Sequence, residues 1–586
     1  MTAADLEKIL SPADIRGKSI EELAQLASAM RKTLIEKLAA HGGHVGPNLG
    51  MIEAIIALHY VFDTPNDKIV FDVSHQTYPH KMLTGRMKAF TEPAHYDDVT
   101  GYTAPEENPE YDLFSLGHTS SSVALAAGLA KARDLAGGEE NVVAVIGDGS
   151  LSGGVAFEGL DYGATLGTNF IVVVNDNDMS IAENHGGIYA DLHLLRNTNG
   201  TGEPNLFRSM GYAYRYVNYG NDLRSLIDMF RSVKDIKYPV VVHLNTMKGM
   251  GLPVAEANKE AFHFSGPFNP ETGAPVMADA GEDYEGIFTS LMSELMSQRK
   301  DVVTITAGTP GAIGFSKELR KAAGKQFVDV GIAEQAAVDV ASGLAKGGMR
   351  PVVGFVSTFL QRAYDQFAQD IALNHQAATF VVFYGSVFGM NDETHLGFFD
   401  ISLLSNIPGL LVLTPTSKEE YEAMIRWAVD QKTVPVVVRT PGGQVVSRKD
   451  IDILKDYSHP SYEIVREGGK VALIGVGTFF ETMKEAADKL KTKGIEVTLI
   501  NPRSVSELDK SALDRLKDYS LVITAEDGVV DGGYGQKVAS YLGTSSVKVV
   551  NLGLPKKFLN KYSAKELVEA CGLTSDSIAE RVEAEA

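Results

Sequence analysis

Ten short apolar runs punctuate the chain: VVAVIG (142–147), FIVVVN (170–175), VVVHLN (240–245), VVTITA (302–307), ATFVVFYG (378–385), LLVLTP (410–415), VALIGV (471–476), VTLINP (497–502), LVITAE (521–526) and VKVVNL (547–552). Each is strand-length, and longer stretches with helical spacing separate them. A strand with one wet face alternates polar and apolar residues, whereas a continuous run is buried on both faces, as in a parallel sheet covered by crossover helices. The pattern predicts an α/β fold of parallel sheets. Two stretches break the rhythm. SGPFNPETGAPVMADAGE, Ser265 to Glu282, is rich in Pro, Gly and Ala and has no period. The second, Gly442 to Gly469, is charged and ends in a turn. Three α/β blocks follow, 1–265, 283–442 and 466–586.

A length of 586 residues agrees with three domains at about 150 residues each. With 44% hydrophobic and 22% charged residues the chain is ordinary globular material. Its formal net charge of -21 argues against a nucleic-acid or anionic-membrane partner, because phosphate rewards clustered Lys and Arg. The single cysteine, Cys571, has no internal disulfide partner, and MTAADLEKIL lacks a basic start followed by an apolar core, so a cytoplasmic protein is expected. No apolar run approaches the ~18 residues of a membrane span.

Chemistry enters at the ends of two runs. VVAVIG leads into Asp148 within GDGSLSGG, and FIVVV leads into NDNDM, which carries Asn177. Open α/β sheets place ligands at such carboxyl ends. The separation of 29 residues suits one strand, a helix and a return strand, so that both oxygens converge on one hard cation. Mg²⁺ takes one or two protein groups and completes its shell with ligand phosphates. The glycines beside Asp148 let backbone amides approach a diphosphate. No Lys-Ser or Lys-Thr follows them, which excludes a P-loop. GVGTFF, Gly475 to Phe480, lacks the third glycine of a dinucleotide loop. GDG alone would be only a tight turn, and its pairing with NDNDM carries the reading.

These motifs resemble the thiamine-diphosphate enzymes of the transketolase superfamily. GGHVGPNLG (Gly42 to Gly50), FDVSHQTYPHKMLTGR (Phe71 to Arg86), LGHTSSS (Leu116 to Ser122), DVGIAEQ (Asp329 to Gln335), STFLQRAYDQ (Ser357 to Gln366) and LGLPKKF (Leu552 to Phe558) narrow the resemblance to the 1-deoxy-D-xylulose-5-phosphate synthase family. The resemblance implies a diphosphate-binding domain, a pyrimidine-binding domain and a carboxyl-terminal transketolase-like domain, the last through INPRS, AEDG and GGYG. It implies thiamine diphosphate and Mg²⁺ as cofactors, a 2-oxo acid donor, an aldehyde acceptor and a homodimer. Asp148, Asn177 and the Met179 carbonyl would hold the metal. His75, Gly117, His118, Thr119, Gly149 and Ser150 would meet the diphosphate or thiazolium side. Glu334 would be the acid at the aminopyrimidine N1′, with Phe359 stacked on that ring. His44 and His395 would exchange protons and hydrogen bonds with donor and acceptor oxygens, and Arg362 would face a carboxylate or the acceptor.

The sequence departs from the family at one end of the site. Tyr384 and Gly442 stand where the resemblance expects two phosphate-binding arginines, and Asn391 where it expects an aspartate, with Asp392 beside it. Val356 and Leu252 replace tyrosines, Ala336 replaces a frequent histidine, and the segment from Ile181 to Met210 is shorter than the family's linker. Arg439 and Lys248 are the cations available to substitute, but no spacing places them there. The resemblance thus implies pyruvate decarboxylation with transfer to glyceraldehyde 3-phosphate or to a different aldehyde. The alternatives are a transketolase moving a two-carbon ketol, and a cofactor-binding homologue without synthase activity.

Overall fold

The structure, a computed structural model, describes residues 1–276 and 281–585. Of the connection read at Ser265 to Glu282, residues 277–280 lie outside the described residues, as does Ala586 of the last block. The chain forms three α/β domains whose sheets are parallel except at one edge. It divides into two compact units, Met1–Asp279 with Gly331–Ala333 and Ala280–Val330 with Glu334–Ala586.

The first unit holds β1 (Lys68–Phe71), β2 (Val142–Gly147), β3 (Phe170–Asp176), β4 (Ala213–Val217) and β5 (Pro239–Asn245), in the order β1-β2-β3-β5-β4 and all parallel. Successive residues feed opposite cores. Val143, Val145, Ile171 and Val173 join one cluster, while Val142, Ala144, Ile146, Val172 and Val174 join the other. This is why the runs read as unbroken apolar stretches. The helix α1 (Gly46–Val61) is buried along almost its whole length, with Pro47 near its start, where no backbone donor is lost. α2 (Ser122–Ala136) follows the LGHTSSS loop and α3 (Ile188–Asn197) follows NDNDM.

The second unit contains two sheets. The first comprises β6 (Val302–Thr306), β7 (Phe327–Asp329), β8 (Arg350–Val356), β9 (Thr379–Phe383), β10 (Leu411–Leu413) and β11 (Val436–Arg439), ordered β10-β11-β9-β8-β6-β7. The second comprises β12 (Glu463–Arg466), β13 (Val471–Gly475), β14 (Thr498–Asn501), β15 (Leu521–Val529) and β16 (Lys548–Leu554), ordered β12-β14-β13-β15-β16. α4 (Glu334–Lys346) starts just past β7. One hydrophobic cluster runs through both sheets, joining Ile305, Phe355 and Phe380 to Ile474, Ile500 and Val522.

The apolar runs did not announce every strand. β4 is an edge strand with Arg215 exposed, and β8 carries Pro351 and Gly354 inside its run. β12 departs from the parallel expectation. It pairs antiparallel to β14 at a sheet edge, and its half-exposed EIVR comes from the charged connection. Among the described residues, no helix is long and apolar enough to cross a membrane.

Candidate active site

In the first unit the site begins at Gly42 and Gly43, whose φ values of 87° and 131° are open to glycine and costly for other residues. Gly43 exchanges both main-chain hydrogen bonds with Ser265, and Gly46 N–H donates to the Phe262 carbonyl at 2.7 Å. A β-carbon at Gly42 would sit 2.8 Å from the Ser265 oxygen. This tight bridge brings residues 262–265 against the loop bearing His44. His44 lies 5.0 Å from His75, 5.7 Å from His263 and 5.1 Å from Phe264, ring centre to ring centre, and His75 stacks on His263 at 5.1 Å. Asn48 braces the group by donating to the His44 and His75 carbonyls at 2.7 and 2.8 Å.

Sequence reading found His44 and His75 and missed His263. Its imidazole is held well below the ordinary range, first by burial and then by the Lys248 ammonium, and its Nδ1 is buried with no hydrogen-bond partner. Lys248 is only 2% exposed, and burial pulls it down to about 7. It donates to the Ser180 carbonyl at 2.6 Å, so it is committed inside this unit.

Three loops meet where the sequence placed the diphosphate contacts. Asp72, buried and raised by that burial, accepts from Ser120 N–H at 2.7 Å and Ser122 N–H at 2.9 Å. It thereby pins the loop carrying Gly117, His118 and Thr119. Ser120 Oγ reaches the Ser150 carbonyl at 2.8 Å, which ties that loop to the turn after β2. Asp148 and Asn177 leave adjacent parallel strands in register, Gly147 beside Asn175, as the spacing implied.

Asp148 is 1% exposed, and its carboxyl is pushed up to about 7 by burial first and by the Asp176 charge second. It accepts from Asn184 Nδ2 at 2.7 Å and from Met179 N–H at 3.1 Å. The Asn177 Oδ1 is buried and has no hydrogen-bond partner. At Gly149 a β-carbon would collide with Ser180, 2.8 Å from its Oγ, which keeps the backbone there close to the NDNDM loop. Among the described residues no group of three or more His, Cys, Asp or Glu side chains is set to hold a metal. A desolvated carboxylate beside an unsatisfied amide oxygen nevertheless fits a hard cation whose remaining ligands are phosphate, water or backbone oxygens.

In the second unit Glu334 opens α4 and is 2% exposed. Burial pushes its carboxyl above the ordinary range, opposed by Arg362, whose guanidinium stands 3.4 Å away. His395 is 7% exposed and edge-on to Phe359 at 5.6 Å. Its Nδ1 meets Thr394 Oγ1 at 2.8 Å, and Asp392 lies 3.7 Å off. Glu334 and Arg362 thus form one pair, and Phe359 and His395 another.

The positions set apart in the sequence each have packing of their own. Tyr384 has a left-handed φ of 57° and turns toward Glu285, and burial raises its phenol. Asn391 is exposed and donates to the Tyr562 carbonyl at 3.1 Å. A β-carbon at Gly442 would collide with Ser386 Cβ and Oγ. Arg439 is spent on a buried ion pair, 2.7 Å from Asp400 and 2.5 Å from Asp527. Substituting Gly442→Ala is expected to cost about 1–3 kcal/mol of overpacking. An unchanged urea midpoint would show that Ser386 gives way freely.

Three family models match the chain: 1-deoxy-D-xylulose-5-phosphate synthase over residues 6–203, the transketolase pyrimidine-binding domain over 281–446 and the transketolase C-terminal domain over 461–578. The 1-deoxy-D-xylulose-5-phosphate synthase of Symbiobacterium thermophilum is 38% identical, covering 99% of this chain and 94% of that protein. The chain belongs to the 1-deoxy-D-xylulose-5-phosphate synthase family. With that family it joins the thiamine-diphosphate-dependent transferases. Synthase 1 of Geobacter sulfurreducens is 37% identical over 99% of this chain and 97% of its own length. Among solved structures, the transketolase of Campylobacter jejuni matches 97% of this chain and 100% of its own at 16% identity and a TM-score of 0.45.

Proposed function

We propose that this synthase-family protein is a thiamine-diphosphate and Mg²⁺ dependent carboligase that decarboxylates pyruvate and joins the two-carbon unit to an aldehyde. The observation that carries the reading is the buried, partnerless Asn177 Oδ1 beside the desolvated Asp148 carboxylate. In this reading residues 1–265 bind the diphosphate, 283–442 bind the pyrimidine and 466–586 form the carboxyl-terminal domain of a cytoplasmic homodimer. Asp148, Asn177 and the Met179 carbonyl would hold Mg²⁺, and Gly117, His118, Thr119, Gly149 and Ser150 would receive the diphosphate. The bound cofactor supplies the nucleophilic carbon and the electron sink for decarboxylation.

The chain's own groups do the rest. Glu334, whose carboxyl burial pushes above the ordinary range, would hold a proton toward the ring nitrogen N1′, and Phe359 would stack on the ring. His44 and His395 would exchange protons and hydrogen bonds with donor and acceptor oxygens, and His75 would meet the diphosphate or thiazolium side. Arg362 offers its fork to the donor carboxylate.

The acceptor is where this protein differs. A charge-assisted hydrogen bond to phosphate contributes about 1.5–3 kcal/mol, and neither Tyr384 nor Gly442 makes one. Arg439 and Lys248 are buried on partners of their own. We therefore assign an acceptor without a phosphate group. The test is incubation with thiamine diphosphate, Mg²⁺ and pyruvate against phosphorylated and plain aldehydes, with products read by mass. Plain aldehydes should give kcat/KM at least equal to that of glyceraldehyde 3-phosphate, and a strong preference for the phosphorylated aldehyde would refute the assignment. Absence of carbon dioxide release would refute the carboligase itself, and ketol transfer from a sugar phosphate would favour the transketolase alternative.

A further inference from the structure

Asn177 is gripped from both sides by one side chain. Arg196, on α3, places NH1 2.6 and 2.7 Å from the two carboxylate oxygens of Asp176, and NH2 2.5 Å from Asp178 Oδ1. Asp176 and Asp178 are the two chain neighbours of Asn177. Asp176 is fully buried and further fixed by His243 Nε2 at 2.8 Å, which Tyr214 OH holds at 2.7 Å through Nδ1. Asp178 has a left-handed φ of 61°, a conformation that aspartate, with its short polar side chain, tolerates better than most non-glycine residues. Asp178 N–H also donates to Asp176 Oδ1 at 3.1 Å, closing a small ring around the Asn177 backbone.

The geometry points to Arg196 as a positioning residue: by holding the carboxylates on both sides of Asn177 it fixes the direction of the Asn177 amide oxygen toward the metal. The inference rests on the proposed role of Asn177 at Mg²⁺. Its physical content is preorganisation. An amide oxygen on an unrestrained loop would have to be ordered when the metal arrives, whereas here the ordering is done by a guanidinium whose planar fork reaches two carboxylates at once. Supporting groups of this kind set metal affinity as strongly as some ligands do.

A positioning role and a charge effect predict opposite signs. Arg196 carries positive charge close to the Asn177 loop, so on Coulomb grounds alone its removal should tighten Mg²⁺ binding. Loss of a clamp should weaken it. Lysine separates the clamp from the fold, because it keeps the charge that Asp176 needs but has a single ammonium in place of the fork.

The test is calorimetric titration of Mg²⁺ into the full-length protein saturated with thiamine diphosphate, for wild type, Arg196→Lys and Arg196→Gln. Thermal melting of the metal-free proteins is run in parallel. The expected result is Mg²⁺ affinity about 10–100-fold weaker in both variants, with the metal-free Arg196→Lys melting near wild type. Wild-type affinity in Arg196→Lys would overturn the inference, and so would tighter binding in Arg196→Gln. A lowered melting temperature with unchanged affinity would also overturn it, by reducing Arg196 to a structural residue. If Arg196→Gln does not fold, Arg196→Lys alone decides. A wild-type protein that binds no Mg²⁺ would instead sink the metal reading, and the clamp with it.

Discussion

Replacing Glu334 by glutamine is expected to cut the rate of carbon dioxide release from pyruvate by about 10²–10⁴-fold, with little loss of fold. Glutamine matches the size of the protonated acid, but its amide protons are too weakly acidic for it to give one up as a general acid. The pH dependence separates this from a packing defect. Burial raises Glu334 above the ordinary glutamate range, with Arg362 opposing. The folded chain therefore holds that proton more tightly than the unfolded chain does. Its contribution to stability is fully present below the ordinary glutamate pKa and is lost as pH rises through the raised folded value. Glutamine does not titrate, so Glu334→Gln should lose less stability than wild type across that window. Thermal melts at a series of pH values, run beside the carbon dioxide assay, check both halves. A variant with wild-type turnover would remove Glu334 from the mechanism.

The largest effect on stability is expected at Arg439. Its guanidinium is 3% exposed and lies between Asp400 and Asp527, which are 4% and 0% exposed. Asp400 is already pushed up to about 6 by burial, even with the arginine beside it. Asp527 Oδ2 has no hydrogen-bond partner. Arg439→Met would leave two buried carboxylates facing each other without a cation, at about 3–5 kcal/mol. The triple variant Arg439→Met, Asp400→Asn, Asp527→Asn should recover most of that loss, because a buried ionic cluster replaced as a whole by neutral groups costs little. Urea denaturation of both variants distinguishes the cases. A single variant as stable as wild type would mean that the two carboxylates take up protons or water at no cost.

Much of the fold was legible because both faces of the central strands are covered, so burial left a continuous apolar trace in β2, β3, β5 and β9. β4 and β12 left no such trace, since an edge strand with one exposed side needs no apolar residue there. At the site, Asp148 and Asn177 were legible because one strand, helix and return strand links them, and that distance is fixed by geometry. His263 was not, and Lys248 was read only as a stand-in for a lost arginine. They reach His44 and Ser180 through contacts with residues far away in the sequence, and no local pattern records such a contact. The spent state of Arg439 was hidden for the same reason, because its partners come from Asp400 and from the far end of β15. Tyr384 was seen as a missing arginine, but its turn toward Glu285 depends on a left-handed backbone that the sequence does not advertise.

The hydrophobic cluster shared by the two sheets of the second unit carries a consequence for how this polypeptide can be divided. A gene split between Gly442 and Tyr462 would hand Ile305, Phe355 and Phe380 to one product and Ile474, Ile500 and Val522 to the other. Each product would then display an oily face built to meet the other. The two halves would have to be made together and find each other before anything else in the cell did.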